Sequence, residues 1–447
     1  MSNPYLPNWE YVPDGEPRVF GDRVYVYGSH DNAASDRFCD FKLKVWSAPI
    51  DNLNDWVCHG DAFHTRDDRD HKSDTSAWTD HDLYAPDVVE KDGKYYLYAY
   101  ILGAAGCVAV SDRPEGPFQL VSTYKYNPPE DAADGYCDNG IFVDPGVLVD
   151  DDGRVYIYCG YLRSFAVELN SDNMYEVIDS TYVKNIIPNE PKEAPFAFFE
   201  ACSPRKIGDT YYLIYSPRKG SRLVYSTSKA PLGPFEYRGV IIDNGVDYPG
   251  GNDHGSICQI NGQWYIFYHR TTNGTSMSRR GCVERIEILP DGTIAQAEMT
   301  SLGFEKSLSP YKITPADIAC VLKGGCIVTE LDVFTRVVTN ITRDCVIGYK
   351  YFDFGDDFSS KTLEFYVNVK GSGCKAALRI LIDNYESGAE LGRCDIGMGD
   401  GVYSAVINSV TGRHAVYLAV EDGFDGWGKE SFKNRRLFDL ISFVFVK

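Results

Sequence analysis

Five ionisable residues stand at matched positions ahead of five aromatic strands. Asp14 lies 11 positions before Tyr25, Asp87 9 before Tyr96, Asp144 12 before Tyr156, Glu200 12 before Tyr212 and His254 11 before Tyr265. Carboxylates gathered at one point drive their pKa values apart, so that one keeps its proton at neutral pH while another stays ionised. That separation is what a general acid and a general base require. Each residue alone has an ordinary alternative: Asp14 in PDGEP and Asp144 in VDPG also suit turns, and His254 in NDHGS suits a hydrogen-bonded buried position. Five in register argue for a shared role.

The elements that would gather them are short hairpins. FGDRVYVYGSH from Phe20, KDGKYYLYAY from Lys91, DDGRVYIYCG from Asp151, IGDTYYLIYS from Ile207 and INGQWYIFYH from Ile260 each read as a tight turn entering an aromatic strand. Their tyrosines recur at steps of 71, 60, 56 and 53 residues, room for one four-stranded sheet per interval. The expected fold is all-β: a five-bladed β-propeller over residues 1–308, with the first strand of each blade lining a central channel. A β-sandwich of jelly-roll type is expected over residues 309–447, where KTLEFYVNVKG, KAALRILIDN and YSAVINSV alternate apolar and polar residues. Unrelated β-sandwiches that share aromatic hairpins are the competing architecture.

The chain has 64 acidic and 44 basic residues and a formal net charge of -20, which repels phosphate backbones and anionic membrane surfaces. Nucleic acid and membrane partners are therefore not expected. The N-terminus lacks a basic start followed by an apolar stretch, so a cytoplasmic location is expected. Thirteen cysteines without CxxC or Cys/His spacing read as reduced thiols buried in strands. Nothing in the sequence marks an oligomeric state.

DGEPRVFGDRVYVYGSHD, APDVVEKDGKYYLY, FVDPGVLVDDDGRVYIY, FFEACSPRKIGDTYYLIYS and GNDHGSICQINGQWYIFYH, in this order, resemble glycoside hydrolase family 43 as far as about residue 305. The resemblance implies a propeller that removes terminal β-xylosyl or α-L-arabinofuranosyl residues from oligosaccharides with inversion. It implies Asp14 as general base, Asp144 as the residue orienting and tuning the acid, and Glu200 as general acid, with Phe198 and Phe199 as apolar surroundings of Glu200. It puts Arg279 towards the sugar, Asp87 at the pocket rim, with a structural strand start as the alternative, and His254 near the axis, holding a water or a calcium ion. No cofactor is required; calcium is the one ion the resemblance allows. The family acid is followed directly by proline, whereas here Gly15, Glu16 and Pro17 follow Asp14, so Glu16 is a rival base. The residue before the second-blade AP is commonly tryptophan and here is Tyr84, which leaves Tyr84 or Trp78 to stack on the sugar.

Across residues 312–447, VIGYKYFDFG, GAELGRCDIGMG, VTGRHAVYLAVE and LFDLISFVFVK resemble family 6 carbohydrate-binding modules. Trp427 and Tyr385 are the candidate sugar platforms there, and a role as scaffold packed on the propeller is the alternative. Two other functions compete: a non-catalytic sugar-binding propeller, and a fructan-cleaving propeller hydrolase. The second lacks the NDPNG-type start that its nucleophile requires.

Overall fold

The computed structural model describes residues 1–67, 79–101, 106–123, 142–356, 360–424, 426 and 429–447. Five antiparallel sheets follow one another along the first two thirds of the chain, each with its strands in sequence order. The first comprises Glu16–Phe20, Arg23–Gly28, Lys42–Pro49 and Val57–His64, and the second Leu83–Lys91, Lys94–Ile101, Cys107–Ser111 and Gln119–Thr123. The third comprises Gly146–Val149, Val155–Cys159, Phe165–Leu169 and Val183–Lys184, and the fourth Phe198–Ile207, Thr210–Pro217, Arg222–Ser228 and Glu236–Asp243. The fifth has three strands, Ser256–Ile260, Gln263–Thr272 and Thr275–Ile286.

The five hairpin turns read from sequence begin these sheets. Gly21, Gly93, Gly153, Gly208 and Gly262 all have positive φ, the left-handed conformation that a tight turn needs and that glycine adopts without a Cβ clash. Apolar clusters then fill the space between neighbouring sheets. Tyr25, Leu43, Val88 and Leu97 join the first and second sheets, Tyr98, Val108, Ile157 and Val167 the second and third, and Tyr156, Tyr158, Phe198 and Tyr215 the third and fourth. Each such side chain contributes roughly 1.5–3 kcal/mol by leaving water.

The first strands of successive sheets pack side by side around an axis. The ring closes where Arg205 Nε donates to Ile257 O at 2.9 Å and the fifth sheet's first strand meets that of the first sheet. The N-terminal segment seals the outer edge of the fifth sheet: Tyr5 N–H donates to Gly281 O, and Asn3 bonds the Val283 backbone through both its amide nitrogen and its oxygen. An exposed edge strand is thereby covered.

Two more sheets form the C-terminal part. One orders Ile327–Glu330, Arg336–Ile341, Phe438–Val446, Thr362–Gly371 and Gly401–Asn408; the other orders Val321–Lys323, Val346–Asp353, Arg413–Asp422, Ala376–Ile382 and Glu390–Ile396. Aromatic side chains from the two meet, with Tyr349 4.9 Å from Phe443 and Phe354 5.3 Å from Phe445. This core is continuous with that of the fourth and fifth sheets, so the two parts of the chain share buried apolar surface. No helix among the described residues is long and apolar enough to cross a membrane. Among the described cysteines all are free thiols, and all but Cys58 and Cys374 are buried.

Candidate active site

Side chains alternate along a strand, so residues two apart face the same way. On the first segment Asp14, Glu16 and Arg18 therefore all turn to the axis, and the other sheets supply residues at the same levels. Two layers result.

The outer layer contains Asp14, Asp144, Glu200, His254 and Arg279. Asp14 is buried just before its strand, with φ of 57°. Arg279 Nη1 donates to its Oδ1 at 2.9 Å and Ser29 Oγ to its Oδ2 at 2.6 Å. Arg279 is itself gripped by Asp31, through Nε and Nη2, both at 2.9 Å. Burial alone would raise the Asp14 pKa. The charge of Arg279 first, helped by the Ser29 hydroxyl, overcomes this and holds it below the usual carboxylate range.

His269 lies 3.5 Å from Asp14 through Nδ1, and burial with the nearby Arg279 lowers its pKa to about 3. A neutral ring agrees with its hydrogen bonds: Nδ1 accepts the Asp14 N–H at 3.3 Å while Nε2 donates to Asn252 O at 3.0 Å. It fixes the Asp14 backbone without adding a positive charge.

Asp144 has φ of 49°, and Ala201 beside Glu200 has φ of 68°. Non-glycine residues in this region are strained, and such strain gathers where function demands a geometry. The two are linked, since the Ala201 N–H donates to Asp144 Oδ2 at 3.1 Å. Irregular pairing on either side of Glu200 turns its carboxyl out of the regular ladder. Burial raises the Glu200 pKa well above the ordinary value, and the charges of Asp144 and Asp14 add to that, against a smaller opposing effect of Arg279. Asp144 is also raised, by burial and by Asp14, against the pull of His254. His254 Nδ1 sits 3.7 Å from Asp144 and 4.0 Å from Asp14.

The inner layer contains the other expected residues. Glu16, the rival base, accepts from Ser203 Oγ at 2.7 Å and Arg205 Nη1 at 2.9 Å, and burial is overcome by Arg205 and Arg18 so that its pKa is lowered. Its carboxylate is committed to structure. Of the two readings of Asp87, pocket rim and structural strand start, its position fits the second: it is fully buried, held by Arg18 at 3.0 and 2.6 Å and by the Val147 N–H at 2.7 Å. No oxygen of it remains for a sugar.

Phe198 also departs from expectation, since it packs among Tyr158 and Tyr215 between sheets rather than around Glu200. Phe199 is half-buried with its ring 5.2 Å from that of Tyr161. Tyr84 is half-buried and donates to Phe38 O at 3.3 Å, and the Phe38 ring lies 5.2 Å from the Arg279 guanidinium. Arg279 was expected to face the sugar; its bonds are instead to Asp14 and Asp31. Trp78 and Trp427 lie outside the described residues. Tyr385 is no open platform: its hydroxyl accepts from Lys323 Nζ at 2.8 Å and approaches Asp247, bracing the junction of the two parts.

Calcium takes six to eight oxygen ligands. Among the described residues no group of three or more His, Cys, Asp or Glu side chains could hold a metal; of the two carboxylates near His254, Asp14 is already bonded by Arg279 and Ser29, and Asp144 accepts the Ala201 N–H. The described residues around His254 do not fit the ion. Sequence reasoning also missed Ser29, Asp31 and His269. The signal was present, because each is a polar residue closing an apolar run, in VYVYGSHD and WYIFYH.

Residues 6–294 match the model of Glycosyl hydrolases family 43. A xylosidase/arabinosidase from Thermoclostridium stercorarium is 37% identical, with 97% of this chain and 98% of that protein covered. The solved structure of a family 43 β-xylosidase/α-arabinofuranosidase from a compost microbial metagenome, in complex with xylotriose, covers 66% of this chain and 98% of its own, at 28% identity and a TM-score of 0.53. An arabinoxylan arabinofuranohydrolase structure from Bacillus subtilis, at 22% identity and a TM-score of 0.56, covers 100% of this chain and 97% of its own and speaks for the fold. With a family match over most of its length and a cluster of carboxyl groups at one end of the ring, the chain belongs to glycosyl hydrolases family 43 and is a glycosidase.

Proposed function

We propose that the enzyme removes terminal α-L-arabinofuranosyl or β-D-xylosyl residues from plant-derived oligosaccharides with inversion. In this reading the five sheets are the five blades of a propeller, residues 1–308. The C-terminal sheets are a β-sandwich like a family 6 carbohydrate-binding module, residues 309–447, acting mainly as scaffold. The observation that carries the reading is the split within one cluster: Arg279 pairs with Asp14 at 2.9 Å and pulls its pKa down, while burial and the neighbouring Asp144 push that of Glu200 up.

Glu200 gives its proton to the glycosidic oxygen as the bond to the anomeric carbon breaks. A water attacks that carbon from the opposite face and Asp14 takes its proton. Asp144 sustains the Glu200 proton by its charge and fixes the backbone that carries Glu200 through Ala201. Arg279 and His269 position Asp14, His254 lies between the two aspartates, and Tyr84 and Phe199 flank the sugar. The chemistry needs no cofactor. Relatives named for both activities support a pocket for either pentose, with α-L-arabinofuranoside slightly favoured.

The test is hydrolysis of p-nitrophenyl α-L-arabinofuranoside and p-nitrophenyl β-D-xylopyranoside by wild type and Asp14→Asn, with NMR of the first-formed anomer. Turnover that gives the inverted sugar and vanishes in the variant supports the proposal. A retained anomer, or full activity in Asp14→Asn, overturns it.

A further inference from the structure

A cleft of about 780 Å³ separates the fifth sheet from the C-terminal part. Its walls are the connection around Gly250–Asn252, the turn of the fifth sheet around Thr275 and Ser276, and the C-terminal hairpin from Leu322 to Val328. In an up-and-down sheet the start of the first strand and the turn joining the second and third strands lie at the same end. Asp14, Asp144 and His254 precede first strands, and the turn between Thr272 and Thr275 joins the second and third strands of the fifth sheet. The cleft thus opens at the end of the ring that carries the catalytic carboxyl groups.

The two sites also share a wall. Thr271, on the cleft, pairs across the sheet with Arg279, which holds Asp14. Asn252, also on the cleft, gives its carbonyl to His269, which touches Asp14.

The lining has a specific chemistry. Six glycines, with threonine and serine residues among them, make up much of the wall. The only charged side chains on the lining are Asp247 and Lys323, which neutralise each other at 2.7 Å. With that pair neutralised, the wall carries no net charge to draw an ionic ligand and suits a neutral chain of hydroxyls. Asn252 Oδ1 is enclosed without a hydrogen-bond donor among the described residues, a cost that a sugar hydroxyl would relieve after a small turn of the side chain. The volume lies within the range of ligand sites, roughly 300–1,000 Å³.

We propose that this cleft receives the further sugar units of the glycan whose terminal pentose is cleaved at Asp14 and Glu200. The inference rests on the glycosidase reading above and extends it. The C-terminal part then helps to select chain length or branching through the Leu322–Val328 wall, without a sugar site of its own.

Ser276→Trp fills the cleft and touches no catalytic residue. Its kcat/KM is compared with wild type on p-nitrophenyl α-L-arabinofuranoside, which has no further sugar, and on a xylopentaose carrying one arabinofuranosyl branch. The expected result is unchanged turnover of the aryl glycoside and a loss of about tenfold or more on the branched oligosaccharide, the scale of 1.4 kcal/mol of lost binding. Equal loss on both substrates, or no loss on the oligosaccharide, overturns the proposal. If wild type cleaves neither substrate, the glycosidase reading fails first and the inference falls with it. Should Ser276→Trp melt early, Thr275→Tyr at the outer edge of the same turn is read in its place.

Discussion

The two layers of the channel are built from the same residue types and do opposite things. In the inner layer Glu16 and Asp87 face Arg18 and Arg205, two carboxylates against two guanidiniums, with each oxygen bonded. In the outer layer Asp14, Asp144 and Glu200 face Arg279, which Asp31 already half-neutralises. His269 is kept neutral and cannot make up the deficit. A balanced set can give each carboxylate a guanidinium and ties strands together. An unbalanced one must carry an extra proton, and that proton is the reagent. Charge balance at a given level of the axis, rather than residue type, separates framework from chemistry.

The sharpest way to break the comparison is Asp14→Asn. Turnover should fall about 10³-fold or more, towards the upper end of what a general base contributes, while Asp31 still neutralises Arg279 and the protein stays folded. Glu200→Gln should lose about 10²–10⁴-fold on natural glycosides and far less on aryl glycosides, whose leaving groups need no proton. Equal loss on both would remove Glu200 from the acid role.

The wild-type pH profile of kcat/KM should have widely separated limbs. Activity drops at low pH as Asp14 gains a proton, below the ordinary carboxylate range, and at high pH as Glu200 loses its own. The alkaline limb should vanish in Glu200→Gln.

In the inner layer the same kind of change should act on stability instead. Glu16→Gln leaves Arg205 partly uncompensated and should cost about 3–5 kcal/mol in denaturant unfolding, with kcat of the folded fraction close to wild type. A large loss of kcat without loss of stability would erase the distinction between the layers. Glu200→Gln should have the opposite sign. Its folded-state pKa lies above the unfolded 4.5, so wild type loses stability as pH rises from there through the folded value. The variant should therefore be more stable than wild type at pH 8, and the gain should disappear below pH 4.5. Smallest of all is Lys323→Ala at the junction, a partly exposed pair worth about 1 kcal/mol or less.

Much of this was legible in the sequence because the signals are local. Turn glycines, aromatic alternation and strand length set each hairpin within a dozen residues, and period two puts Asp14 on the same face as Glu16 and Arg18. Asp144 and Glu200 could be found in the same way, by their offset from the hairpins. Which acid does chemistry could not. Glu16 meets Arg205, 189 residues away, while Asp14 meets Arg279, 265 residues away, and no local pattern records either pairing. Asp87 looked like a rim residue for the same reason, since Arg18 lies on another sheet.

The sequence by itself determined the strands, their turns and the set of inward-facing acids, because backbone conformation and side-chain alternation are decided by near neighbours. The tertiary structure alone decided which carboxyl group finds a guanidinium and which is left to keep its proton. Electrostatic energy depends on distance and burial in space, and both are fixed only when the ring of sheets closes.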